Sequence, residues 1–303
     1  MTDHLSPSRL DATSISGLPV VASRHPLRWL TAAVVLFVAV VAGYTLVEND
    51  NFQWQVVGHY LFNSLILHGL WVTIWLTVVS MVIGIVLGLL LAVMRMSSNP
   101  FVSGASRIYI WFFRGTPVLV QLVFWYNLAA LFPTLSFGIP FGGPTFVTGS
   151  ANTLISPYTA ALLGLGLNEA AYMAEIVRGG VNSVEAGQVE AARALALRFG
   201  EIMRQVVLPQ AMRVIIPPTG NETIGMLKTT SLVSVIALSD LLYSAQTIYS
   251  HNFETIPLLL TTCAWYLLAT SVLTFGQGFL ERRFSAGSAL SPRRRGLRLV
   301  SFR

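Results

Sequence analysis

Apolar residues run along this chain in long continuous stretches, not in the alternation of a half-buried strand. Residues 64–94 contain no Asp, Glu, Lys or Arg. That run exceeds the roughly 20 residues a helix needs to cross a bilayer, so it is expected to tilt or to project beyond the membrane. Apolar runs at 27–47, 108–132, 157–177, 214–238 and 257–280 bring the expected spans to six. Continuity over such lengths favours helices over a barrel, whose strands would alternate. The expected fold class is an all-α polytopic membrane protein.

The punctuation between runs is informative. Arg114-Gly115-Thr116-Pro117 interrupts the third run. Proline lacks an N–H donor, so the helix is expected to kink or begin afresh there. Gly84 and Gly88 have the small-xxx-small spacing that suits close helix contact. Residues 51–63 mix Trp54, Tyr60 and Phe62 with Gln53, Gln55 and His59, a blend expected at headgroup level. Residues 133–156 are uncharged and rich in Pro, Gly, Ser and Thr, and are expected to form an external loop. Residues 240–255 are expected to be a polar connection.

Composition supports the membrane assignment. The 303 residues are 54% hydrophobic and 11% charged, whereas soluble domains carry about 25% charged residues. With the N-terminus in the cytoplasm, the loops at 48–63, 133–156 and 240–255 fall outside and contain no Lys or Arg. The tails and the loops at 95–107 and 178–213 then fall inside and hold most of the arginine. This is the positive-inside distribution, with both termini cytoplasmic. The net charge of +6 therefore reports orientation rather than nucleic-acid binding. Residues 1–26 are expected to be a disordered cytoplasmic tail, 27–47 a retained extra span, and 284–303 a basic cytoplasmic tail.

Most catalytic chemistry is excluded. The lone Cys263 rules out a disulfide framework, and no Cys or His cluster has metal-ligand spacing. No GxxxxGK[ST] phosphate loop is present. No loop is long enough for an independent catalytic domain. No cofactor is therefore expected in this chain.

In the middle of the chain charges crowd together at 185–218, with Glu185, Glu190, Arg193, Arg198, Glu201, Arg204 and Arg213. Glu190 to Ala196 is built of strong helix formers. Ala192, Leu195 and Phe199 fall on one helical face, and Gly200 breaks the helix. A second short helix is expected from Glu201 to Leu208, limited by Pro209. Two short amphipathic helices between spans should lie along the membrane surface, with one face open to a cytosolic partner.

Here the chain resembles the permease subunits of binding-protein-dependent ABC importers, in particular the polar amino acid group. The family's loop pattern is Glu-Ala-Ala, three residues, Gly, nine residues, Ile-x-Leu-Pro. It stands here as Glu190-Ala191-Ala192, then Ala196, then Val206-Val207-Leu208-Pro209. Ala196 replaces the Gly and Val206 the Ile. Arg114 to Gln121 resembles the group's third-span signature. Ala171 to Gly180, with Gly187-Gln188, matches the segment before the loop. Gly220-Asn221-Glu222, Leu227-Lys228 and Thr230 to Ile236 match the segment after it. Thr229 stands where relatives often carry Asp. The resemblance covers about 60–283.

The resemblance implies a type-1 importer permease domain over 60–283 with short cytoplasmic coupling helices. It implies a second permease subunit, identical or related, a pair of ATPase subunits, and a periplasmic or lipid-anchored amino acid binding protein. ATP and magnesium would belong to the ATPase. Glu190, Ala191, Ala192, Arg193, Ala194, Leu195 and Ala196, with Leu208 and Pro209, are the implied ATPase-coupling residues. Glu190 could otherwise be an ordinary exposed charge. Glu169, Glu222, Lys228, Arg114 and Asn221 are candidates for the pathway or its gating. Ionisable groups at mid-membrane cost at least about 2.5 kcal/mol unpaired and therefore face the bundle interior or water. Glu169 and Glu222 fit substrate contact or internal pairing alike. Lys228 leans to structure or gating, and Arg114 to gating or snorkelling. Glu175 and Arg178, at i, i+3, are expected to pair with each other. The rival reading is a secondary transporter or channel that uses intramembrane charges without an ATPase.

Cysteine labelling tests the orientation. Single cysteines at 140–150 should react with an impermeant maleimide from outside, and those at 185–205 only from inside. The reverse pattern overturns the topology.

Overall fold

The computed structural model describes residues 26–138, 143 and 145–285. The tails expected at 1–26 and 284–303 lie outside these, except where terminal helices reach into them. Helix α1 (Pro26–Glu48) and a 3-10 turn at Asp50–Phe52 belong to a first unit, described by itself. The second unit begins at Gln53. Its elements are α2 (Trp54–Tyr60), α3 (Ser64–Arg95), α4 (Pro100–Gly115), α5 (Val118–Tyr126) and α6 (Leu128–Leu131), then strands β1 (Thr134–Gly138) and β2 (Thr145–Ser150). There follow α7 (Ala151–Leu154), α8 (Pro157–Asn182), α9 (Ala186–Ala194), α10 (Phe199–Ile202), α11 (Leu208–Thr229), α12 (Leu241–Asn252) and α13 (Thr255–Ser285).

Helices start where a short polar side chain can receive an unpaired N–H of the first turn. Asn63 accepts from Leu65 N–H at the start of α3, and Asn99 from Phe101 N–H at the start of α4, both at 2.9 Å. Ser156 accepts from Thr159 N–H ahead of α8. Pro100 and Pro157 occupy first helical positions, where a missing N–H costs nothing.

Among the described residues, four helices are long and apolar enough to cross a membrane, and two bent pairs bring the number to six if each pair is one span. The first pair is α4 with α5, bent by 100° at Thr116-Pro117. The third expected span is thus two helices, because Pro117 cannot continue α4 and instead precedes a new first turn. The second pair joins the helical path Phe199–Ile236 to α12, bent by 45°. Residues 240–255 are therefore not an irregular connection. Asp240, fully buried, caps α12 by accepting from Tyr243 and Leu242 N–H. The expected external loop carries an antiparallel hairpin pairing Thr134 with Ser150 and Ser136 with Thr148.

The core is organised around α8, which packs along α3 and also touches α4, α5 and α11. Its buried face is rich in small residues, among them Ala160, Ala161, Gly164, Ala170, Ala171 and Ala174. The facing residues of α3 are Gly84 and Gly88. A Cβ at Gly84 would run into the Glu169 side chain, and one at Gly88 would stand 3.0 Å from Ala170 O. Close approach of two membrane helices through small residues replaces the hydrophobic drive that lipid cannot supply.

Gly84→Val should therefore destabilise the detergent-solubilised protein by about 1–3 kcal/mol through overpacking. Gly104→Ala, inside α4 where a Cβ meets nothing within 4 Å, should leave the melting temperature unchanged or raise it slightly. Equal melting of both variants would contradict this packing.

Candidate functional site

Two helix faces of the same spacing meet around one cavity. On α8, Leu165, Asn168, Glu169 and Tyr172 stand at i, i+3, i+4 and i+7; on α11, Glu222, Gly225, Met226 and Thr229 repeat the pattern. With Val118 they line a space of ≈ 270 Å³. Glu169 is only 4% exposed, and its Oε1 has no hydrogen-bond partner. Glu222 lies within its electrostatic reach. Two carboxylates at one buried cavity, one with an unmet acceptor, form a site suited to a cation rich in N–H donors.

The end of α4 closes beside this cavity. The last carbonyls of a helix lack intrahelical donors, and in lipid they must find others. Gln121 Nε2 donates to Phe113 O at 3.0 Å and to Thr116 O at 3.1 Å. Asn168 Nδ2 donates to the same Phe113 O at 2.7 Å. Arg114 sits in that final turn with its guanidinium 5.0 Å from the Tyr172 ring centroid, a cation–π contact. It lies within electrostatic reach of Glu222 on one side and Glu175 on the other.

The structure brings Glu169 and Glu222 together and sets Arg114 at the cavity's edge through Tyr172. It does not bring Lys228 in: that side chain is exposed and does not line the cavity. Asn221 turns to α13, where its Oδ1 accepts from Gln277 Nε2 at 3.0 Å. Arg178 donates to Glu175 Oε2 from Nη2 at 2.6 Å and from Nε at 3.0 Å. Tyr172, an aromatic residue within the span, also lines the cavity. The polar residues Asn168, Glu169 and Tyr172, at i, i+1 and i+4 inside an apolar span, were the available signal for Asn168 and Tyr172. Nothing in the spacing marks Gln121 as the closure of the broken helix.

The central loop forms a small domain-like layer of its own. Ala192, Ile202 and Val207 are buried together, with Val181, Val184, Val189 and Leu197 packed around them. Helix α9 ends in a Schellman turn: Leu197 N–H donates to Ala192 O at 3.3 Å and Ala196 N–H to Arg193 O at 2.9 Å. Ala196 takes the left-handed conformation, φ 57°, so the position where relatives carry Gly is one that needs Gly-like freedom. That turn overturns the shared face expected of Ala192, Leu195 and Phe199. Ala192 is buried, whereas Leu195, at the helix cap, and Phe199, beyond the reversal, are each 76% exposed. Glu190, Ala191, Arg193 and Ala194 are exposed as well.

The second short helix also differs from expectation. Helix α10 covers Phe199–Ile202, a π-helical turn spans Met203–Val207, and α11 begins at Leu208. Pro209 does not limit a helix; it lies in the first turn of α11, where its missing N–H is tolerated. Leu208 and Pro209 thus join the loop to a span, and Gln210 ties the joint to α9 by donating to Gln188 Oε1 at 2.7 Å.

The chain is similar to known proteins in sequence and fold. A family model described as "Binding-protein-dependent transport system inner membrane component" matches residues 84–286. The arginine transport system permease protein ArgU of Corynebacterium glutamicum is 46% identical over 88% of this chain and 82% of its own length. The glutamine transport system permease protein GlnP of Escherichia coli is 38% identical over 58% of this chain and 73% of its own. A crystal structure of an amino acid ABC transporter with histidines matches with TM-score 0.63 and 36% identity, over 73% of this chain and 95% of that one. The inward-facing MetNI methionine ABC transporter, 20% identical with TM-score 0.57, shares the fold.

Ala196→Gly should raise stability by about 0.5–1 kcal/mol, the relief of a left-handed alanine less the added freedom of the unfolded chain. Ala196→Val should lower it. Limited proteolysis at the loop and thermal melting read both; an Ala196→Gly variant less stable than the parent would contradict the assigned turn.

Proposed function

This chain belongs to the family of binding-protein-dependent transport system inner membrane components, and on that premise we propose that it forms the membrane path for a cationic or polar amino acid in an ABC importer. The observation that carries the proposal is the cavity between α8 and α11, with Glu169 and Glu222 on its wall and Glu169 Oε1 unpartnered. A buried carboxylate without a partner is costly. An ammonium or guanidinium group entering the cavity supplies the missing donors and charge. ArgU, named for arginine transport, is a relative in keeping with such a cargo. Arg114, over the Tyr172 ring, serves as the gating charge at the edge.

Membership in a binding-protein-dependent system implies a binding protein and an ATPase as partners. We place the ATPase pair beneath the loop, against the exposed surface of Glu190, Ala191, Arg193, Ala194, Leu195 and Phe199. Leu195 and Phe199 are large apolar side chains on a water-facing loop, a pattern that marks a protein contact. Ala192 shapes that surface from beneath, and Ala196 sets its turn. Leu208 and Pro209 pass its movement into α11. A second permease subunit completes the path. Both termini lie in the cytoplasm, in line with the arginine distribution, in a bacterial inner membrane. The domain bounds proposed are 27–47 for the extra span and 60–283 for the permease domain.

In vesicles holding the chain with its ATPase and binding protein, labelled arginine should accumulate only with ATP. Glu169→Gln and Glu222→Gln should each slow uptake by roughly tenfold or more, with arginine binding to the isolated binding protein unchanged. Glu190→Arg should uncouple or weaken ATPase association with the inserted chain intact. Uptake by the chain alone, or full uptake in all three variants, would overturn the proposal.

A further inference from the structure

The part of α11 that is weakest as a helix lies between the loop and the cavity. Pro217 and Pro218 sit inside it. They deprive the Arg213 and Val214 carbonyls of their usual backbone donors, and each ring crowds the preceding turn. Thr219 and Thr223 hydroxyls donate back to Ile215 O and Thr219 O at 2.8 and 2.9 Å, a pattern that bends helices. Gly220 follows, with no Cβ.

One side chain from α13 reaches into this joint. Gln277 Nε2 lies 3.2 Å from Pro217 O, 3.0 Å from Asn221 Oδ1 and 2.8 Å from Glu281 Oε1. Gly220 makes the approach possible, since a Cβ there would stand 2.7 Å from Gln277 Cδ. An amide has two N–H groups to share among these three acceptors. Bending at the joint can therefore exchange partners without stripping the amide of all of them.

We propose that 217–220 is a hinge in α11 and that Gln277 is the positioning residue that clasps it, setting the turn that carries Glu222 against the cavity. This rests on the reading of the cavity as the substrate path and of the central loop as the coupling element. On the loop side of the hinge, α11 continues without a break into the π-helical turn and is tied to α9 through Gln210 and Gln188. On the other side come Glu222, Gly225, Met226 and Thr229, the α11 wall of the cavity. Movement of the loop that travels along α11 reaches that wall through this joint. The clasp determines how much of it arrives.

The test uses the full complex in vesicles. Spin labels are placed at Met212→Cys and Phe279→Cys, both exposed, in a Cys263→Ser background. Gln277→Leu removes the donor at similar volume. It should widen the distance distribution between the two labels and lower uptake per ATP hydrolysed by about fivefold, the scale of one lost hydrogen bond. Pro217→Ala with Pro218→Ala, added to Gln277→Leu, should narrow the distribution again. An unchanged distribution in Gln277→Leu, or a widening that the proline replacements do not reverse, overturns the hinge. If Gln277→Leu does not assemble, Gln277→Asn, which keeps the amide but shortens its reach, takes its place with the same criteria. The distances are read without substrate. A cavity shown inert by Glu169→Gln and Glu222→Gln would thus remove the substrate path yet leave the hinge result standing on its own.

Discussion

The close approach of α3 and α8 at Gly84 and Gly88 is the contact on which the rest of the bundle depends. A Cβ at Gly84 would occupy the place of the Glu169 side chain. The glycine therefore brings two spans together and also gives a carboxylate room to sit buried with its head toward the cavity. Van der Waals packing of small residues can hold such helices in lipid, where apolar burial gives no net drive. Once α8 is fixed against α3, its other faces receive α4, α5 and α11, and the cavity is what remains between the polar edges.

The same constraint governs the breaks. A bilayer offers no water to unpaired backbone groups, so each interrupted span carries its own side-chain donors or acceptors. Gln121 and Asn168 satisfy Phe113 O where α4 stops. Asp240 receives the first N–H groups of α12. These amides and this carboxylate look like candidate functional groups in a sequence. In the fold, Gln121 and Asp240 are structural, whereas Asn168 both closes α4 and lines the cavity.

The central loop shows how a conserved-looking pattern acts through backbone geometry. Its left-handed turn at Ala196 reverses the chain, buries Ala192 in a small core and presents Leu195 and Phe199 outward. The loop then enters α11 through a π-helical turn, so a rigid surface element is joined to the helix that carries Glu222. The proline pair further along that helix divides it into a part that moves with the loop and a part that walls the cavity.

By itself the sequence determined the class of fold, because the length of its apolar runs is a local property. The arginine placement and the spacing from Glu190 to Pro209 are local properties too, and they raised the orientation and the coupling loop as expectations. Glu169 and Glu222 were legible as costly intramembrane charges for the same reason. Their convergence on one cavity was not legible, because it depends on how two helices 53 positions apart are rotated against each other. The sequence marked the interruption at Pro117, but whether the helix there only kinks or starts anew was decided in three dimensions, as were the helix within 240–255 and the outward turn of Leu195 and Phe199. Gln121, Asn168 and Asp240 supply the buried hydrogen bonds at the first two, and the packing of Ala192 against Ile202 and Val207 accompanies the third.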